Sequence, residues 1–185
     1  MPNCFGEFLI KKPENAIFQI LTPYIYQLIL EKMLKEEIRN LIKSVITHLG
    51  LYSVDAVELM MLTCSQESHL GKLRFQPRRK TCFGIFQMNV NTFNDIVNNY
   101  LKFKPELKRK VMEVSGVKNF IASDMAENDR LAICMCRIHY LRKTEKIPSC
   151  VNVEEMAYYY EKYYDTVPNE RVSNEAVINY KRFAL

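Results

Sequence analysis

At 185 residues the chain is long enough to bury roughly 70% of the surface its unfolded form exposes, so one compact domain forms without disulfide or metal staples. Hydrophobic residues make up 48% of it, with only 5 Gly and 7 Pro, which excludes a disordered or collagen-like chain and favours a helical body over a turn-rich β-sandwich. Lys and Arg number 26 against 21 Asp and Glu; the resulting net charge of +5 favours polyanionic partners without choosing among wall glycan, nucleic acid and anionic membrane.

Lys11-Lys12 followed by the mainly apolar residues 16–30 looks at first like the basic and apolar parts of a signal or anchor segment. The apolar run is too short to span a bilayer, and Gln19, Thr22, Pro23 and Gln27 interrupt it. Ile17, Ile20, Leu21, Tyr24, Ile25 and Leu28 fall on one helical face, as a packing helix requires. Residues 1–40 are therefore expected to form an N-terminal helical extension packed on the core, without stable membrane insertion, and residues 41–185 the main domain.

Ile38, Leu41, Ile42, Val45, Ile46 and Leu49 recur at three and four residues, and Gly50 supplies the stop. Ser53 is an N-cap for a helix through the apolar run 57–62, which carries Glu67 at or just past its C-terminal end, held by a rigid element and facing open space. Over residues 71–83 the periodicity fails, Pro77 blocks a helix, and Arg78-Arg79-Lys80 cluster; a loop or short hairpin bordering a cleft is expected there. Val90, Phe93, Ile96, Val97 and Tyr100 restore a helical stripe, and Pro105 opens a further short helix through Val111-Met112.

The strongest amphipathic pattern is Leu131, Cys134, Met135, Ile138 and Leu141, which suits a central buried helix with His139 off its apolar stripe. From Val153 a helix continues through the tyrosine-rich run Tyr158-Tyr159-Tyr160-Glu161-Lys162-Tyr163-Tyr164, with some rings inward and others bordering a groove. Cys4, Cys64, Cys82, Cys134, Cys136 and Cys150 show neither CxxC pairs nor a Cys/His arrangement suited to zinc, so reduced thiols and no metal site are expected.

Cleaving a glycosidic bond requires a proton for the leaving oxygen, and a carboxylic acid delivers it near neutral pH when apolar surroundings hold its proton on. Glu67 follows Leu59-Met60-Met61-Leu62, which offers such surroundings, although a glutamate taken alone is most often a solvated charge. Twenty residues later, Gly84-Ile85-Phe86-Gln87-Met88 combines a glycine that permits close backbone approach with a glutamine whose amide both donates and accepts.

Glu67-Ser68 followed by this Gly-x-x-Gln segment resembles the goose-type lysozyme and soluble lytic transglycosylase superfamily. The likeness is closer to phage-encoded lysozyme-like lytic proteins of similar length and runs over residues 41–183. It rests on Leu49-Gly50-Leu51-Tyr52-Ser53, Gln66-Glu67-Ser68, Gly84-Ile85-Phe86-Gln87-Met88, Asp95-Ile96 with Asn99-Tyr100-Leu101, Cys136-Arg137-Ile138-His139-Tyr140-Leu141, and Lys162-Tyr163-Tyr164-Asp165-Thr166.

The resemblance implies a mostly α, single lysozyme-like domain that cleaves the β-1,4 bond between N-acetylmuramic acid and N-acetylglucosamine of bacterial peptidoglycan, with no cofactor and no metal. It makes Glu67 the catalytic acid/base, and Ser68, Gln87, Tyr163 and Tyr164 substrate-binding groups, with Ser68 orienting the glutamate more than reacting. Asp165 stands where the family's tyrosine is followed by asparagine, and is the leading second carboxylate ahead of Asp95, Asp124 and Asp129. With it hydrolysis follows; without it, one acid suffices for anhydro-ring closure.

Implied partners besides peptidoglycan are a holin or other virion proteins, with no nucleic acid. The protein is expected to be made in the host bacterial cytoplasm without a signal peptide and to act at the cell wall, as an endolysin or carried in a virion. The competing reading is a noncatalytic peptidoglycan-binding or virion structural protein on the same fold. A nucleic-acid binder using the basic loop is the third.

Overall fold

In a computed structural model, which describes residues 16–74, 81–165 and 170–185, the chain folds into helices with a single small hairpin. It divides into two units at Leu34/Lys35. Helix α1 (Ala16–His48) runs across that division with Pro23 inside it, so the two separate helical stretches expected over residues 17–28 and 38–49 are one, and the boundary expected at residue 40 lies within it. In its first part, Ile25, Tyr26, Leu28, Ile29, Leu30 and Met33 are exposed; the side chains of Ile17, Ile20, Leu21 and Tyr24 lie outside the described residues.

From Lys35 onward the apolar period takes hold. Ile38, Ile42, Val45, Ile46 and Leu49 are buried at spacings of three and four, and Gly50, at φ 73, ends the helix as expected. Helix α2 (Val54–Ser68) begins at Ser53, whose side chain accepts the Ala56 N–H at 3.0 Å. Unlike a surface helix it buries every residue from Ala56 through Ser65 except the half-buried Glu58, and it packs against α5, α6 and α7. Its C-terminal turn closes in left-handed backbone at His69 (φ 51) and Leu70 (φ 56), followed by Gly71 (φ 81).

Strands β1 (Cys82–Phe83) and β2 (Met88–Asn89) pair antiparallel, Cys82 opposite Asn89 and Phe83 opposite Met88. The hairpin therefore begins at the end of the segment 71–83 expected to be a loop or short hairpin and runs on to Asn89, with the Gly-Ile-Phe-Gln segment as its turn. The basic cluster Arg78-Arg79-Lys80 and Pro77 lie outside the described residues.

Asn89 caps α3 (Val90–Asn99), which buries Phe93 and Ile96; a 3-10 turn, Leu101–Phe103, leads to α4 (Pro105–Ser115) with its proline in the first turn and Gly116 closing it. A second 3-10 turn, Ala122–Ala126, precedes α5 (Asp129–Leu141), which buries every residue from Leu131 to Ile138 and also Tyr140. Helix α6 (Val153–Tyr163) carries most of the tyrosine run. Helix α7 (Glu170–Phe183) was not expected from the sequence: it buries Ala176 and Tyr180, followed by Ala184, a spacing of four built on two alanines and a tyrosine that a search for bulky aliphatic groups passes over.

The chain is thus mostly α. Among the described residues no helix is long and apolar enough to cross a membrane, and no group of three or more His, Cys, Asp or Glu is placed to hold a metal ion. The five described cysteines are free. Helices α1, α2 and α7 are tied by one polar cluster: Arg39 pairs with Glu58, Arg39 Nη2 donates to the Ala184 carbonyl at 2.6 Å, and the Tyr180 hydroxyl donates to Glu58 Oε2 at 2.7 Å.

Candidate active site

Glu67 stands one residue before the end of α2, so the most buried helix of the fold sets its position. It does not face open space; only 9% of it is exposed. The Tyr160 hydroxyl, from α6, donates to Glu67 Oε1 at 2.6 Å. Burial and the neighbouring carboxylate both raise the Tyr160 phenol, so it keeps its proton and acts as donor.

The hairpin turn is fastened to this corner from two sides. Ser68 is fully buried, donates through Oγ to the Ile85 carbonyl at 2.6 Å, and accepts the Gly71 N–H at 2.8 Å. The Tyr164 hydroxyl donates to the next carbonyl, Phe86 O, at 2.9 Å, and its ring stacks on Tyr160 at 5.9 Å. Acid, phenol and turn are therefore one connected unit: α2 holds Glu67 and Ser68, α6 and its C-cap hold Tyr160 and Tyr164, and both grip consecutive carbonyls of the turn.

Glycine is required within it. Gly84 has φ 77, and a Cβ there would lie 2.3 Å from the Met125 carbonyl oxygen. Gln87, also left-handed at φ 44 and only 4% exposed, spends its amide nitrogen internally, donating to Arg74 O and Gly84 O, each at 2.8 Å. Two carbonyl acceptors on one end of the amide fix which end is nitrogen, and leave Oε1 buried without a hydrogen-bond partner. The amide expected to donate and accept toward a sugar instead spends its nitrogen within the turn and has its oxygen buried.

The remaining sequence candidates separate. Tyr163 does not join the unit: its carbonyl lies 2.6 Å from His139 Nε2, and its ring packs on Tyr159 with Lys143 and Lys162 beside it. Ser68 is a fastener with no exposed surface. Asp95 pairs with Arg142 and accepts from Asn99 at 2.8 Å, which together hold its carboxyl below the usual range. Asp129 faces Arg74 in a two-pronged pair, one prong 2.8 Å. Asp165 follows the α6 C-cap, half-buried, with its N–H on the Tyr160 carbonyl at 3.3 Å.

Tyr160 is the site residue that sequence reasoning missed. A signal for it existed: Met156, Tyr160 and Tyr164 recur at four residues and so share a helix face, and the apolar Met156 marks that face as inward. In comparisons with protein-family models, curated proteins and solved structures, the chain matches none.

Proposed function

We propose that the protein cleaves the β-1,4 glycosidic bond of bacterial peptidoglycan, with Glu67 as general acid and then base. The observation that carries this reading is a carboxyl that is 9% exposed, oriented by a phenol at 2.6 Å, and fastened through its neighbour Ser68 to a Gly-x-x-Gln turn. A surface charge has no need of such bracing, whereas a proton donor must hold one orientation toward the leaving oxygen.

In the proposed reaction the protonated Glu67 gives its proton to the bridging oxygen as the bond to the muramyl C1 breaks. The resulting carboxylate then takes a proton from the nucleophile that attacks C1. Of the three carboxylates weighed as weaker partners, Asp95, Asp124 and Asp129, the first and the last are each committed to an arginine. That favours the one-acid route, in which the muramyl 6-hydroxyl attacks and closes a 1,6-anhydro ring.

Mass spectrometry of the soluble products from peptidoglycan sacculi tests this. Wild-type protein and Asp165→Asn should both release anhydromuropeptides, and Glu67→Gln none. Reducing-end products lost in Asp165→Asn would instead make Asp165 the second carboxylate of a hydrolase. Absence of any Glu67-dependent product would reject the enzyme reading in favour of a wall-binding protein.

A further inference from the structure

Arg137, on the second half of α5, is only 9% exposed, yet carries a full charge. Its Nε donates to the Leu51 carbonyl at 3.0 Å; among the described residues no carboxylate pairs with it and its remaining N–H groups meet no acceptor. Burial lowers its pKa, and the groups acting on it are Cys136, Tyr159 and Tyr100, none of them a carboxylate. Its Nη groups are not among the buried atoms without a partner, so they reach solvent, and a largely buried guanidinium with free N–H groups and no carboxylate beside it is disposed to take an anion.

A cavity of about 320 Å³ opens beside this guanidinium. Lys143, Thr144 and Lys146 line it, together with Asp55 and Glu145. Both carboxylates already have partners: Asp55 Oδ1 accepts the Cys150 N–H at 2.8 Å, and Glu145 pairs with Lys162. The cavity wall therefore carries three cations and a threonine hydroxyl against two carboxylates, of which Glu145 is offset by Lys162 and Asp55 keeps its charge.

We propose that this cavity binds a small oxyanion, whose paired oxygens accept from the Nη groups of Arg137 while Lys143 and Lys146 offset its charge. The shared chemistry is a carboxylate or phosphate group, free in solution or carried at the end of a peptide; the planar fork of arginine matches both. The site is not the one at Glu67. Asp55 and Glu67 are twelve residues apart on α2, about 18 Å along the helix, so the inference stands whether or not the protein cleaves glycan.

Thermal unfolding at constant ionic strength tests it, with inorganic phosphate in one arm, N-acetyl-D-alanyl-D-alanine in a second, and chloride as reference. Phosphate or the dipeptide at about tenfold over its Kd should raise Tm by roughly 3 °C relative to chloride in the wild type. Response to phosphate alone identifies a free anion, and response to the dipeptide a peptide-borne carboxylate. Arg137→Gln should abolish the rise, and the rim variant Lys146→Ala, which leaves the core intact, should weaken binding several-fold. Equal Tm in all three solutions, an undiminished rise in Arg137→Gln, or unchanged affinity in Lys146→Ala overturns the proposal; if Arg137→Gln does not fold, Lys146→Ala decides.

Discussion

The hydrogen bond from Tyr160 to Glu67 separates two effects that burial alone would merge. A donor to the carboxylate stabilises its charged form, so removing the donor makes Glu67 hold its proton more tightly. In Tyr160→Phe the alkaline limb of the pH profile for kcat/KM, where the acid loses its proton, should move to higher pH, with kcat lowered and roughly 1–2 kcal/mol of stability lost with the hydrogen bond. A limb that stays in place would mean that the phenol braces the fold without tuning the acid. His139 is a second titrating group with a predictable sign. Burial lowers its pKa to about 4 from the ordinary 6.5 of a histidine, and Nε2 must carry the proton it shares with the Tyr163 carbonyl. The folded state therefore prefers the neutral ring: stability is fully present above pH 6.5 and falls as the pH drops toward 4, by at most about 1.4 kcal/mol per unit. Denaturant unfolding across that window should show the slope in the wild type and a flatter line in His139→Gln, whose amide still donates to Tyr163; identical slopes would assign the acid sensitivity to other groups.

Caps and ties between elements decide how firmly the site is presented. Asn128 does two jobs at the start of α5: Oδ1 accepts the Leu131 N–H at 3.0 Å, and Nδ2 donates to the Ser115 carbonyl at the end of α4 at 2.9 Å. Asn128→Ala should cost about 2 kcal/mol, read as a lower denaturant midpoint at unchanged slope, because a cap and an interhelical tie are lost together. Elements with a strong apolar period were legible in the sequence: the Ser53 cap, the Gly50 stop, the Pro105 start and the α5 stripe lie where residue spacing puts them. The hairpin's turn and second strand extend past the segment expected for it because a two-residue strand carries no period, and what defines the hairpin is the left-handed backbone of Gly84 and Gln87. Helix α7 was passed over because its buried face is alanine and tyrosine. In the candidate site, Glu67, Gln87 and Tyr164 were legible as types and spacings, but which groups of Gln87 are already spent, and which tyrosine meets the acid, depend on contacts between α2, α6 and the hairpin that no local pattern encodes.

At the scale of the whole molecule, the position of the boundary between the two units is itself a physical claim. The sequence pattern places the main domain from residue 41, after the first helical run, whereas the fold recruits the preceding turn of α1. Ile38 is 4% exposed, and Arg39 links Glu58 of α2 to the Ala184 carbonyl beyond α7. A chain beginning at Lys35 keeps both residues; one beginning at Leu41 loses them and leaves Glu58 half-buried with only the Tyr180 hydroxyl. Deleting a buried isoleucine and one partner of a part-buried ion pair should together cost about 4–5 kcal/mol, which for a unit of this size lowers Tm by on the order of 10 °C. The two truncations, followed by thermal unfolding, should therefore differ: the longer should melt cooperatively, and the shorter should melt lower or not fold. Equal melting would show that the α1 turn from Lys35 to Asn40 rests on the core without supporting it, and that the arginine network at the foot of α2 contributes nothing to holding the helix that carries Glu67.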